Sequence, residues 1–307
     1  MGQNLQLPNF PAEQPGDTYY LSPLTIYLVG IVDNASFDEK SGKFLEQMGA
    51  FVWKEGEADR GANNICSCLL KYFQKKGWLH QKNSRYTELT IVADNCGGQN
   101  KNKHVVRFLM WLVEAGYFAK IVLLFLVKGH TKNACDRMFN LVKLGYHKKN
   151  TYTYSQLLDC INEHDQIDVT KMEEKDMFNF LEWQDKHYKQ PTGGSFKITH
   201  LFTFTKQNLT PTLMLKQDDC NAEVRVDNLL PTSTRQNTKA KKMTANERKI
   251  AISSMLNNLN VLKSPGIRPI KQVELYTKWR TLIPDVNDRE ETCPRPSDEI
   301  IESVKKQ

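Results

Sequence analysis

The chain has 307 residues, 40% of them hydrophobic and 25% charged, with 42 Lys and Arg against 35 Asp and Glu and a formal charge of +7. That length and apolar content support one main folded domain with an appendage and exclude a wholly disordered chain. No apolar run reaches the roughly 18 residues of a membrane helix, and the opening MGQNLQLPNF lacks the basic segment and apolar stretch of a secretory signal. Seven cysteines, an odd number without framework spacing, point to reduced thiols and a nuclear or cytoplasmic setting rather than a secreted one.

In chain order, residues 3–17 are polar and punctuated by proline, and they lead into LTIYLVGIVD (24–33), a strand. Residues 49–53 are expected to pair with a neighbour in an antiparallel meander. Ile65, Leu69, Leu70 and Phe73 recur at helical spacing over 62–73. The stretch ELTIVADNCGGQNKNKH (88–104) organises the middle of the chain. Leu89, Ile91 and Val92 read as a strand covered on both faces that stops at Asp94 and Asn95. Gly97 and Gly98 then give freedom for a turn, and Val105, Val106, Leu109, Met110, Leu112 and Val113 continue with helical period. KIVLLFLV (120–127) is a second covered strand, ended by Gly129-His130-Thr131, and Asn133 caps a helix carrying Met138, Phe139, Leu141 and Val142. Further helices are expected over 153–161 and 178–188. Past 190 the character changes: 191–195 reads as a hinge, 198–204 as a short strand, 231–249 as a polar basic linker, 245–262 as a surface helix and 283–297 as a peripheral tail. This order predicts an α/β fold with one mixed sheet flanked by helices, its last strands parallel through right-handed crossovers.

Asp94 ends a strand, the edge at which ligand crevices open in α/β sheets. If the helix after His130 returns over that edge, Asp136 joins Asp94 in a hard-oxygen site suited to Mg²⁺ or Mn²⁺. The plainer reading is local: Asp94 and Asn95 close an Asx turn, and Asp136 at the third helical position completes a cap begun by Asn133. His130 serves either to assist water or phosphate or as a hydrogen-bonding turn residue. Cys96, beside Gly97 and Gly98, is a candidate acyl-transfer nucleophile of a cysteine hydrolase with His130 as its base, or a packing residue. Cys66 and Cys68 lie one residue apart on a helix, which sends their thiols to different faces and disfavours a shared zinc. Lys101, Lys103, Lys132 and Arg137 suit a nucleic-acid backbone, although solvated helix faces carry similar charge.

The segments ADNCGGQNKN (93–102) and GHTKNACDRMFNLVK (129–143), with QNLQLPNFPAEQPGDTYYLSPLTIYLVGIVD and WKEGEADRGANNICSCLLKY, resemble a large eukaryotic domain family of unknown function found in transposon-derived proteins. The resemblance spans most of 3–190 and extends weakly through LYTKWRTLIP and CPRPS. That family is similar to RNase H-like transposase cores in element order and acidic placement. The resemblance implies an RNase H-like domain over 1–190 and an accessory region over 191–307. It also implies Asp94 and Asp136 as metal ligands, His130 as their helper, and nucleic acid, DNA ahead of RNA, as partner. The family pattern places an acidic residue just before the GQN segment, whereas this chain reads Met1-Gly2-Gln3-Asn4. The function the resemblance implies is metal-dependent nucleic-acid processing, as a divalent-metal nuclease or transposase-like phosphodiester transferase, with a non-catalytic nucleic-acid-binding or scaffold domain as the alternative; the first strand is expected to be truncated, and cleavage by the chain in this form feeble or absent.

Overall fold

The computed structural model describes residues 2–11, 15–38, 42–79, 87–126, 133–189, 199–207, 210–216, 225–230 and 243–306. The chain forms two compact units that alternate along the sequence. The first comprises Met1–Asp59, Lys132–Glu174 and Lys263–Gln307, and the second Arg60–Thr131 and Lys175–Leu262.

The first unit is built on a four-stranded sheet. Strands β1 (Gly2–Leu7), β2 (Leu24–Asp38) and β3 (Lys43–Lys54) form an antiparallel meander, and β6 (Ile167–Lys171) adds in parallel to β3. The alternation that a strand demands is plain in β1, where Leu5 and Leu7 are buried while Asn4 and Gln6 face water. Leu5, Leu7, Ile26, Leu28, Ala50 and Val52 of the sheet share a core with Met138, Phe139 and Val142 of helix α3 (Ala134–Tyr146) and Leu157, Cys160 and Ile161 of helix α4 (Tyr154–Asn162). Helix α3 lies so close to β2 that a Cβ on Gly30 would come within 2.8 Å of the Phe139 ring and 2.7 Å of the Met48 sulfur. Only glycine fits there without displacing a neighbour.

The end of the chain belongs to this core. Helix α7 (Pro269–Thr277) and the 3-10 turn Trp279–Leu282 bury Leu275, Trp279 and Ile283 in it, and Cys293 joins them. The helices α8 (Val286–Thr292) and α9 (Asp298–Lys305) follow. Thr292 Oγ1 donates to the Tyr152 carbonyl at 2.8 Å, and Gln156 Nε2 donates to Asp288 at 2.8 Å. The expected peripheral tail over 283–297 is thus corrected. Proline and charge mark its surface, while a few widely spaced apolar residues, each worth about 1.5–3 kcal/mol when fully buried, fix it to the sheet.

The second unit holds a five-stranded sheet in the order β4 (Glu88–Ala93), β5 (Lys120–Phe125), β7 (Leu201–Gln207), β8 (Thr210–Lys216), β9 (Arg225–Asn228). β4 and β5 are parallel, joined through helix α2 (Lys103–Glu114), and the remaining pairs are antiparallel. One face, carrying Ile121, Leu123, Phe125, Phe202, Phe204, Leu213 and Leu215, is buried, and α2 packs on β5, β7 and β8. Every residue of α2 from Val105 to Glu114 is buried. Helices α1 (Ala62–Lys75) and α5 (Phe180–His187) pack on α2 in turn, and α6 (Ala245–Ser253) comes later in the unit.

The α/β class holds, with helices on mixed sheets. The strands, however, divide between two sheets among the described residues, not one, and the hairpin of β7 and β8, from the expected accessory region, extends the sheet that starts at β4. The expectation that β4 is covered on both faces is also corrected. Among the described residues it lies at a sheet edge with alternating exposure, and Val92 is 49% exposed. The expected hinge over 191–195 and most of the basic linker fall outside the described residues.

Candidate functional site

The turn between β4 and α2 is shaped by backbone bonding to one carbonyl. The Cys96 oxygen accepts from the N–H groups of Asn100 (2.8 Å), Lys101 (2.9 Å) and Gln99 (3.3 Å), which winds the chain into a single turn. Asn102 then caps α2: its Oδ1 accepts from the amides of His104 and Val105, both at 3.0 Å, and its Nδ2 donates to the Gln99 carbonyl at 2.9 Å. These bonds satisfy amides that a helix start leaves without intrahelical partners. Asn95, Cys96, Gly97 and Gly98 are exposed, while Gln99, Asn100 and Lys101 turn inward and are buried.

Asp94 is half-buried at the head of this turn, and its Oδ1 accepts a hydrogen bond from Asn100 Nδ2. Gln99 lies against the Arg60 guanidinium, and with its carboxamide oxygen turned toward that group it accepts from Nη2 at 2.9 Å. The Lys101 ammonium stands 5.3 Å from the centre of the Phe125 ring, and desolvation lowers its pKa. Lys103 opens α2 and is half-buried. Next to it, His104 has its pKa lowered chiefly by desolvation, with Lys103 and Arg107 acting in the same direction and a hydrogen bond to Gln184 opposing them. His104 Nδ1 and Gln184 Oε1 are 3.2 Å apart, and Gln184 Nε2 donates to the His104 carbonyl at 3.0 Å.

Farther along α2 the polar groups are consumed by the fold. Arg107, only 2% exposed, donates to Asp185 at 2.7 Å and to the carbonyls of Tyr188 (2.9 Å) and Lys189 (3.3 Å). Glu114 is buried and receives the Tyr188 hydroxyl at 2.7 Å together with the Arg248 guanidinium, whose Nη2 lies at 2.7 Å. Burial and the Glu114 carboxylate hold the Tyr188 phenol neutral far above its ordinary range. The charges of this constellation are met within the fold, as a structural network in a core requires.

Asp136 belongs to the first unit, at the start of α3. Its backbone N–H donates to Asn133 Oδ1 at 3.2 Å and its Oδ2 accepts from the Asn133 N–H at 3.1 Å, so the capping alternative is the observed local arrangement. Arg137 is exposed and ion-paired with Glu46. His130 and Lys132 lie outside the described residues.

Asp94, in the second unit, is engaged by Asn100, and Asp136, in the first, by Asn133. Among the described residues no three His, Cys, Asp or Glu side chains gather closely enough to hold an ion. Cys66 and Cys68 are both buried, and burial raises both thiols well above the usual range, which makes them packing groups. Among the described residues no helix is long and apolar enough to cross a membrane.

A family profile described as Domain of unknown function (DUF7869) matches residues 21–223, about two thirds of the chain. The chain belongs to this family. The DUF7869 match runs from just before β2 to just past β8, so it takes strands from both sheets and includes Asp94 and Asp136. No curated protein and no solved structure matches the chain.

Asn100 and Gln99, which hold the turn from inside, are not singled out by the sequence, because polar residues after two glycines read as solvent-facing. A usable signal lies in Asn102, whose place before the first apolar residue of α2 marks an N-cap.

Proposed function

We propose that this DUF7869 chain is a non-catalytic nucleic-acid-binding protein descended from a transposon-derived domain, and that the second unit carries the binding. The observation that supports this reading is the partition of charge. The second unit contains 24 Lys and Arg against 11 Asp and Glu, a formal +13, whereas the first contains 18 against 24, a formal −6. A net charge of +7 for the chain hides that contrast. Lys75, Lys175, Lys206 and Lys249 are exposed on the second unit, and concentrated positive charge attracts a phosphate backbone without reading its sequence. The proposed setting is the nucleus or the cytosol, where nucleic acid is met and the cysteines remain thiols.

The test is a titration of labelled single- and double-stranded DNA and RNA across a range of salt, with and without chelator. Log affinity should fall linearly as log salt rises, the chelator should leave affinity unchanged, and no probe should be cut. Binding that ignores salt would remove the nucleic-acid reading, and chelator-sensitive cleavage would restore the metal-dependent nuclease.

A further inference from the structure

Helix α1 ends in a left-handed cap. Gly77 takes φ +68°, its N–H donates to the Gln74 carbonyl at 3.0 Å, and the Trp78 N–H donates to the Phe73 carbonyl at 2.9 Å. This turn folds Trp78 back onto the helix. Its indole stacks on the Phe73 ring, with centroids 5.7 Å apart and planes at 26°, and meets Tyr72 edge to face at 5.8 Å. Trp78 is nonetheless only half-buried, while the other four tryptophans of the chain, Trp53, Trp111, Trp183 and Trp279, are at most 7% exposed.

A leucine would meet the apolar contact of such a cap equally well, so packing gives no account of an indole laid flat on one ring with part of its surface in water. The charge around it is positive at short range. Lys75 and Lys76 precede it directly, Lys75 exposed and the Lys76 ammonium 5.6 Å from the centre of the Tyr72 ring. The sequence carries no Asp or Glu between Asp59 and Glu88. The acids of α2 and α5, the helices that pack on α1, are Glu114, Glu182 and Asp185, and these are ion-paired with Arg248, Lys186 and Arg107. Asp176 pairs with Lys71, and Glu88 with Lys120. A flat ring in solvent next to two ammonium groups suits a single strand, because an unpaired base stacks on the ring while the adjoining phosphates meet the cations. A duplex keeps its bases stacked on one another and offers the phosphates alone.

We propose that Trp78, with Lys75 and Lys76, is a stacking platform for an unpaired nucleobase, so that the chain takes single-stranded nucleic acid in preference to duplex. This rests on the nucleic-acid reading above and adds to it the place and the form of the ligand.

The full chain is titrated with an oligothymidine, an abasic oligomer of equal length and charge, and a duplex, with anisotropy and intrinsic tryptophan fluorescence as readouts. The other four indoles are buried, so quenching by a base reports Trp78. Oligothymidine should bind about fivefold or more tighter than the abasic oligomer, the contribution of at least one stacked base, and should quench the emission. The abasic oligomer and the duplex should bind without quenching. W78L, which keeps an apolar contact at the cap, should bring oligothymidine down to the abasic level and leave the abasic affinity unchanged, whereas K75Q/K76Q should weaken both oligomers. The comparison of oligomers uses the unaltered chain and so decides the matter even where a variant fails to fold. Equal affinity for oligothymidine and the abasic oligomer, an unquenched saturated complex, or a W78L chain that still prefers oligothymidine overturns the platform. Salt-dependent binding of both oligomers in that case leaves the nucleic-acid reading standing, and binding of neither removes both.

Discussion

Asp94 and Asn100 hold each other across the turn, one half-buried and one only 6% exposed. Asn100→Ala would remove the donor and leave the carboxylate short of a bond, so urea denaturation should report a loss of about 1–2 kcal/mol, while Asp94→Asn, which keeps an acceptor oxygen, should cost less. Tyr146 offers a pH test of the first unit. Its hydroxyl donates to the Gln6 carbonyl at 2.6 Å, and burial pushes its pKa up to about 12, against an ordinary value near 10. The folded value lies above the unfolded one, so this contribution is complete below about pH 10 and is lost as pH rises through about 12. Two pKa units correspond to about 3 kcal/mol. Stability measured across the alkaline range from about pH 9 to about pH 12 should therefore fall more steeply for the unaltered chain than for Tyr146→Phe. A flat difference between the two would show that the phenol is free to ionise. At this scale the sequence is half legible: the Asn133 and Asp136 cap is one of the two readings that their spacing offers, whereas the burial of Lys101 over Phe125 depends on a strand the lysine does not belong to.

Elements with strong periodicity are legible in the sequence itself. The run LTIYLVGIVD, the helix carrying Val105 to Val113 and the helix after Asn133 all appear where their apolar spacing puts them. The elements that escape such a reading have weak or interrupted patterns. GQNLQL is mostly polar and becomes β1 because Leu5 and Leu7 find the core, IDVTK is only five residues long, and TPTLMLK opens next to a proline. The segment holding Trp279 escapes it for a different reason: Leu275, Trp279 and Ile283 recur every four residues, but Pro284 and the charged residues that follow break the run before Cys293. Trp279 is 1% exposed, and Trp279→Ala should cost about 3–5 kcal/mol, in the range of large-to-small core substitutions. Chemical denaturation would check this, and a cost below about 1 kcal/mol would mean that the C-terminal segment is not integral to the first unit.

For the molecule as a whole, charge is divided more sharply than composition suggests. Replacing Lys75, Lys175 and Lys249 by Gln in the second unit should weaken oligonucleotide binding and reduce the salt slope by about one for each lysine–phosphate pairing removed. The same replacements at Lys148, Lys305 and Lys306, exposed on the first unit, should change both far less. Equal effects from the two sets would mean that net charge acts without regard to place. The alternation of the two units along the chain has a consequence for how the protein can be cut. A fragment drawn to the DUF7869 limits would carry β2 and β3 without Leu5 and Leu7, and without Leu275, Trp279 and Ile283. One stopped at residue 190 would also lose β7 and β8 from the other sheet. The stretch that marks membership of the family is shorter than the stretch that can fold, so a fragment cut to the family boundary would be expected to precipitate or be degraded, and its silence in an assay would say nothing about function.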